Sequence, residues 1–231
     1  MFGTILRRFS EVSLPPKVVI LTFDDGPVCD GLTEELLDLL DELKVTAAFC
    51  LVGAKIKGVE KLVRRIHRDG HLIVNHGYQH KIPNLMSDDE WYDDLEQCDA
   101  AIGTALEIDD WRSAWYRPPG GGWNRRVARL MLDHRRSLMP ITFFAWDTLR
   151  FPYRSRLILA KMKRNLRKDR GGIYLLHEAV LPLWGGVQAA GKKDDRRWIL
   201  EIVRAFVMWA RNDGYLLLDP RSLPPAGLCV E

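Results

Sequence analysis

Short, nearly continuous apolar runs alternate along this chain with longer stretches whose apolar residues recur at helical spacing, the pattern of repeated βα units around a mostly parallel sheet. Val18 to Phe23 (VVILTF) reads as a strand buried on both faces. Leu36, Leu40 and Leu43 follow at helical spacing, with Leu37 widening the stripe and Thr33 placed to cap the helix N-terminus. Val45 to Leu51 predicts a second strand, and Leu62, Val63 and Ile66 a helix that Gly70 can close. Leu72 to Asn75 is the third strand. Ser87 with Glu90 three residues on has the spacing of a capping box, and Trp91, Leu95, Cys98 and Ile102 continue one face of the helix it opens. Further strands are expected at Trp115 to Arg117, Ile141 to Trp146, Ile173 to Leu176 and Tyr215 to Leu218, separated by helices near Arg125 to His134, Arg156 to Lys168 and Arg196 to Arg211.

Gly and Pro punctuate the joints, at Gly26-Pro27, Pro118-Pro119-Gly120 and Gly171-Gly172, and no polar low-complexity linker divides the chain. The pattern predicts an α/β fold, a single closed or nearly closed barrel of about seven βα units. Residues 1–16 are expected to be an N-terminal extension and 17–231 a single domain.

Composition changes this picture little. With 47% hydrophobic and 28% charged residues the chain resembles an ordinary soluble domain, and a formal net charge of +3 gives no reason to expect a nucleic-acid partner. No stretch approaches the roughly 18 to 20 apolar residues that span a bilayer. Only Ile5 and Leu6 stand ahead of Arg7 and Arg8, too short an apolar core for a secretory signal, so the expectation is a cytoplasmic chain or one already processed. Cys29, Cys50, Cys98 and Cys229 form no CxxC pair and are expected to be reduced, with Cys50 in the core.

In barrels of this kind the chemistry sits beyond the carboxyl ends of the strands. There the chain carries Asp24 and Asp25 after strand one, His76 and His80 after strand three, then Arg117, Asp147 and His177 after later strands. Two histidines four residues apart are able to converge on one ion, and a carboxylate from another strand would complete a catalytic two-His, one-carboxylate set with open positions. Asp25 is the candidate third ligand. Asp24 is then available as general base, because an ion lowers the pKa of the water it holds and a neighbouring carboxylate can take the proton.

The ordered segments TFDDGP (Thr22 to Pro27), NHGYQH (Asn75 to His80), RPPGG (Arg117 to Gly121) and LLH (Leu175 to His177) resemble the motifs of the NodB-homology polysaccharide deacetylases, carbohydrate esterase family four. The resemblance spans roughly Lys17 to Leu218. It implies a distorted (β/α) barrel of the NodB-homology, glycoside hydrolase/deacetylase-like type. It also implies hydrolytic removal of an acetyl group from an acetylated carbohydrate, polysaccharide or glycolipid precursor. By that similarity Asp24 is the base, and Asp25, His76 and His80 bind a divalent ion, usually zinc, with cobalt, nickel or iron used in relatives. Arg117 would orient Asp24, and His177 would be the acid that protonates the leaving group. A backbone N–H in the Pro119 to Gly121 segment would stabilise the oxyanion, with Gly120 standing where the family often has a Tyr and so leaving one substrate wall missing.

The fourth motif departs from the family. A DxxDW-like segment, whose last Asp supports the catalytic His, is replaced by AWDTLRFPY (Ala145 to Tyr153). Either Asp147 supports His177 by another route, or His177 lacks a carboxylate partner and donates its proton less well. Two alternatives therefore stay open: hydrolysis of a cyclic imide, ureide or other non-sugar amide, and a catalytically impaired barrel that only binds glycans.

Trp115, Trp123, Trp146 and Trp184 are each read first as core, with Trp123 and Trp184, in glycine-rich loops, the favoured sugar contacts. His67, His71 and His134 are expected at the surface. The 154–170 segment reads as a basic amphipathic helix whose stripe of Ile158, Met162 and Leu166 packs on the barrel, with weak contact to a membrane surface or acidic polymer the lesser reading. The pattern is silent on oligomeric state.

Overall fold

A computed structural model of the chain describes residues 14–148, 154–183, 187 and 195–223. Most of the N-terminal extension, Cys229 and Trp184 lie outside the described residues. Among the described residues eight strands form one sheet: β1 (Val18–Gly26), β2 (Ala48–Leu51), β3 (Leu72–Asn75), β4 (Trp115–Tyr116), β5 (Ser137–Leu138), β6 (Phe143–Phe144), β7 (Gly172–His177) and β8 (Leu216–Leu217). Among the described residues six α-helices accompany them: α1 (Leu32–Leu43), α2 (Glu60–Arg68), α3 (Asp88–Leu106), α4 (Arg125–Asp133), α5 (Arg154–Asp169) and α6 (Trp198–Asn212).

The strand order is β5-β4-β3-β2-β1-β7-β6, with β8 paired to the start of β1, and the ladders of the described strands are parallel. The sheet curls without pairing its two edges, so the fold is a distorted (β/α) barrel open at one seam. Residues 139–142 alone join β5 to β6, the two edges. So short a link reaches at most about 17 Å, which forces the sheet to curl most of the way round. Strand β5 escapes sequence reading because Ser137–Leu138 stands between Arg136 and Pro140 without the apolar or aromatic run that marked the equally short β4, β6 and β8.

Every residue of β1 is buried, as its apolar run predicts. Burial on both faces follows from its central place, with β2 on one side and β7 on the other. Helix α3 starts with the predicted reciprocal cap between Ser87 and Glu90. Thr33 does not cap α1: the helix begins at Leu32 behind Gly31, and the Thr33 hydroxyl is buried against Glu178. Helix α5 turns Ile158, Met162 and Leu166 fully into the core, each stabilising by about 2 kcal/mol. Its apolar stripe is thus used by the barrel. None of the described helices is long and apolar enough to cross a membrane.

His71, expected at the surface, is 5% exposed. Its Nδ1 accepts the Ala47 N–H, and burial pulls its pKa down to about 4. A histidine next to a helix end looks solvated in sequence, but this one faces the Phe49 ring between strands. His67 is exposed as expected, and His134 is half-buried against Trp91 and Tyr92.

Candidate active site

Asp24 and Asp25 are neighbours on β1 and in a regular strand would point to opposite faces. The register against β2 slips between Asp24 and Gly26, and Asp25 sits at φ 69°. This bulge turns both carboxylates to one side, where Asp25 Oδ1 lies 3.4 Å and Asp24 Oδ2 3.8 Å from His76 Nε2. Asp tolerates the left-handed conformation better than most side chains. Lys55, whose ammonium donates to the Asp25 carbonyl, helps to hold it.

His76 and His80 lie on the loop after β3. Asp94, projecting from α3, accepts the Tyr78 and Gln79 N–H groups at 2.8 Å, and Asn75 Oδ1 accepts that of Gly77 at 2.9 Å. Gly77 has φ 75°, and a Cβ there would approach Asp94 Oδ2 to 2.6 Å, so the loop needs glycine. His80 Nε2 ends 3.0 Å from Asp25 Oδ1.

The ligand atoms of Asp25, His76 and His80 lie within 4.8 Å of one another. His76 Nδ1 donates to the Arg117 carbonyl at 2.6 Å and His80 Nδ1 to the Pro182 carbonyl at 2.9 Å, which leaves both Nε2 lone pairs facing the carboxylate. Asp25 Oδ1 is buried without a hydrogen-bond partner. Three converging lone-pair donors in a buried place fit a cation, and the set matches a catalytic metal site with open positions.

Arg117 fills the barrel seam and is 1% exposed. It donates to Asp24 Oδ1 and Thr22 Oγ1, both at 2.7 Å, and to the Pro140 carbonyl on the β5–β6 link at 2.9 Å. One guanidinium therefore orients Asp24 and satisfies the unpaired backbone of the open edge, while its own carbonyl orients His76.

Across the cavity, Asp147 supports His177, which resolves the departure in the fourth motif. His177 Nδ1 donates to Asp147 Oδ1 at 2.8 Å. Burial alone would lower the His177 pKa, but the Asp147 charge and hydrogen bond, with Asp25 and Asp24 behind them, raise it to about 9. Arg196, which the pattern assigned only to the start of a helix, instead precedes α6 and donates to Asp147 Oδ2 at 2.7 Å.

Asp24, Asp25, His76, His80, Arg117, Gly120 and His177 line one cavity of about 330 Å³, walled by Ile141, Phe144, Trp146, Leu175, Leu181 and Leu183. A Cβ at Gly120 would approach Leu183 to 3.0 Å, so Leu183 packs the cavity wall beside Gly120. Trp123 does not line this cavity; it packs beside the cluster of Met86, Trp91 and Tyr116. Among the described residues the exposed indole at the mouth is Trp146, 41% exposed, edge-on to Phe144, which in turn packs edge-on to His177. Trp115 is core.

Sequence reading passed over Asp94, Lys55, Glu178 and Arg196. Asp94 had a legible signal, a charge inside the apolar face of Trp91, Leu95 and Cys98. Glu178 is 2% exposed, and burial raises its pKa to about 7 against the opposing Thr33 hydroxyl and Lys55 charge.

An open (β/α) barrel with a two-histidine, one-carboxylate centre at its carboxyl end defines the class of protein. The polysaccharide deacetylase family model matches residues 11–137, more than half the chain, and the chain belongs to that family. It is similar to the peptidoglycan-N-acetylmuramic acid deacetylase PdaA of Bacillus subtilis (strain 168), 26% identical over 163 residues, 70% of this chain and 60% of that protein. It is also similar to a chitooligosaccharide deacetylase of Rhizobium leguminosarum bv. trifolii, 40% identical over 83 residues, 35% of this chain and 36% of that one. The chain spans 28% to 60% of the length of its peptidoglycan-deacetylase relatives. In fold it resembles the family 4 acetyl xylan esterase from Clostridium thermocellum in complex with a cobalt ion, with a TM-score of 0.70 at 24% identity over 86% of each chain.

Proposed function

We propose that this chain hydrolyses the N-acetyl group of an acetylated amino sugar within a glycan or glycolipid precursor, releasing acetate and a free amine. One observation carries the reading: Asp25, His76 and His80 converge as lone-pair donors between a carboxylate held by Arg117 on one side and an imidazole held by Asp147 on the other. Family membership and relatives whose names specify N-acetylated peptidoglycan and chitooligosaccharides support the substrate class.

Asp25, His76 and His80 would hold a divalent ion, with zinc the first choice for this donor set and cobalt, nickel or iron(II) also fitting it. When bound, the ion supplies Lewis-acid polarisation of the acetyl carbonyl and makes water a nucleophile near neutral pH. Asp24, oriented by Arg117, takes the proton of the attacking water. Within the segment expected to stabilise the oxyanion, Pro119 has no N–H and that of Gly121 donates to Pro118. Gly120, on the cavity wall, is therefore the donor for the tetrahedral oxygen. His177 Nε2 delivers a proton to the sugar nitrogen as the carbon–nitrogen bond breaks. Trp146 offers the pyranose ring an apolar face.

The hydrogen bond between Asp147 and His177 supports a working proton donor over the alternative of a catalytically impaired barrel. The test is acetate release from N-acetylated chitooligosaccharides and peptidoglycan fragments by zinc-loaded protein, set against ring opening of small imides. Turnover of imides with no acetate released from either glycan would overturn the proposal.

A further inference from the structure

The proton donor proposed above is only as good as the geometry of its carboxylate, and that carboxylate has an unusual setting. Asp147 is fully buried and lies three residues beyond β6, while His177 ends β7. A carboxylate taken wholly out of water is costly unless each oxygen is satisfied. Oδ1 accepts from His177 Nδ1, and Oδ2 accepts from the His177 backbone N–H at 2.7 Å and from Arg196 at 2.7 Å. The other two nitrogens of the Arg196 guanidinium also reach these two residues. Its Nε donates to the His177 carbonyl at 2.9 Å, and its second terminal nitrogen donates to the Asp147 carbonyl at 3.1 Å. Arg196 is itself 2% exposed, with its cation 5.0 Å over the Trp198 ring.

We propose that Arg196 is a positioning residue for proton donation: its guanidinium locks Asp147 and the end of β7 into one unit, so that the His177 ring keeps Nδ1 on Asp147 and presents Nε2 to the leaving nitrogen. The inference rests on the reading of His177 as proton donor. Two features separate it from a purely structural role. All three guanidinium nitrogens contact the donor pair itself, and the cation keeps Asp147 an anion beside a protonated imidazole. Burial would otherwise favour a neutral carboxyl that holds the ring less firmly, whereas His177 and Arg196 together keep the Asp147 pKa low. The bonds come from a residue 49 positions along the chain.

The chemistry supplies a discriminating test. In amide hydrolysis water adds to the acetyl carbon, Asp24 takes one of its protons, the carbon–nitrogen bond breaks, and the nitrogen leaves as an amine only because it gains a proton from His177. An activated ester such as 4-nitrophenyl acetate undergoes the same addition, but its phenolate leaves without protonation. A fault confined to proton donation therefore spares the ester, whereas a fault in the metal centre, in Asp24 or in folding damages both.

The experiment compares zinc-loaded wild type, Arg196→Lys and Arg196→Met on an N-acetylated chitooligosaccharide and on 4-nitrophenyl acetate, with zinc stoichiometry and circular dichroism measured alongside. Arg196→Met is expected to lose about 100-fold in kcat on the acetamide, with KM little changed and ester turnover within about threefold of wild type. Arg196→Lys, which keeps the charge but not the forked geometry, should fall between the two. Proportional loss on both substrates, or no loss on either, would overturn the proposal, and so would unfolding of both variants. A separate readout needs no substrate: in NMR spectra the His177 Nδ1 proton should exchange slowly in wild type and rapidly in Arg196→Lys. Wild type that hydrolyses no acetamide would refute the deacetylase reading alone, and the proton signal would then decide the Arg196 role by itself.

Discussion

Asp147 Oδ1 lies 2.8 Å from His177 Nδ1, with the carboxylate fully buried and the imidazole 12% exposed toward the cavity. Because this anion overcomes the effect of burial and raises the imidazole pKa to about 9, the donor stays protonated through neutral pH and is lost as pH rises past that value. Asp147→Asn removes the charge, so burial then dominates and the pKa falls. The expected outcome is a drop in kcat of about 100-fold at neutral pH and an alkaline limb of kcat/KM displaced to lower pH. A pH–rate profile on an N-acetylated chitooligosaccharide checks it, and an unmoved limb would deny His177 the role of acid.

Asp24→Asn should abolish nearly all turnover, by about 1,000-fold, without loss of metal, because Asp24 is oriented by Arg117 and lies farther from His76 than Asp25 does. Elemental analysis beside acetate assays reads both quantities. Loss of metal together with activity would place Asp24 among the ligands.

His80→Ala removes one of three converging donors and should cut zinc affinity by at least about 100-fold. Chelation should likewise silence the wild type, with activity restored by added zinc. Competition titration against a chromophoric chelator measures the affinity, and unchanged binding in the variant would move the ion elsewhere.

Gly26 lies against Glu178, and an added Cβ would run into Glu178 Oε1. Gly26→Ala should therefore cost about 2 kcal/mol in urea unfolding, and adding Glu178→Ala should recover part of that loss. Strict additivity of the two changes would show that the contact is not the cause.

His71 is buried with its pKa lowered to about 4. In the unfolded chain it takes a proton near pH 6.5, so between those values the unfolded state binds more protons and stability rises with pH. The contribution, about 3 kcal/mol, is fully present above 6.5 and lost as pH falls to 4. His71→Gln should flatten that part of the pH–stability curve, which chemical denaturation at a series of pH values would show; an equal slope in both proteins would contradict it.

What the sequence by itself determined was the order of the elements and the chemical types at the strand ends. The run Val18 to Phe23, the capped helix at Ser87 and the stripe of Ile158, Met162 and Leu166 are local patterns, set by the geometry of one strand or helix. The set Asp24, Asp25, His76, His80, Arg117 and His177 was legible because each lies just beyond an apolar run. Tertiary structure decided what each side chain faces. It chose Trp146 over Trp123 for the cavity mouth, buried His71 between strands, and turned adjacent Asp24 and Asp25 to one side through a bulge. It also brought Arg196 to Asp147 across 49 positions of chain. The direction of a side chain and the satisfaction of a buried charge depend on partners distant in sequence, and no local periodicity encodes them.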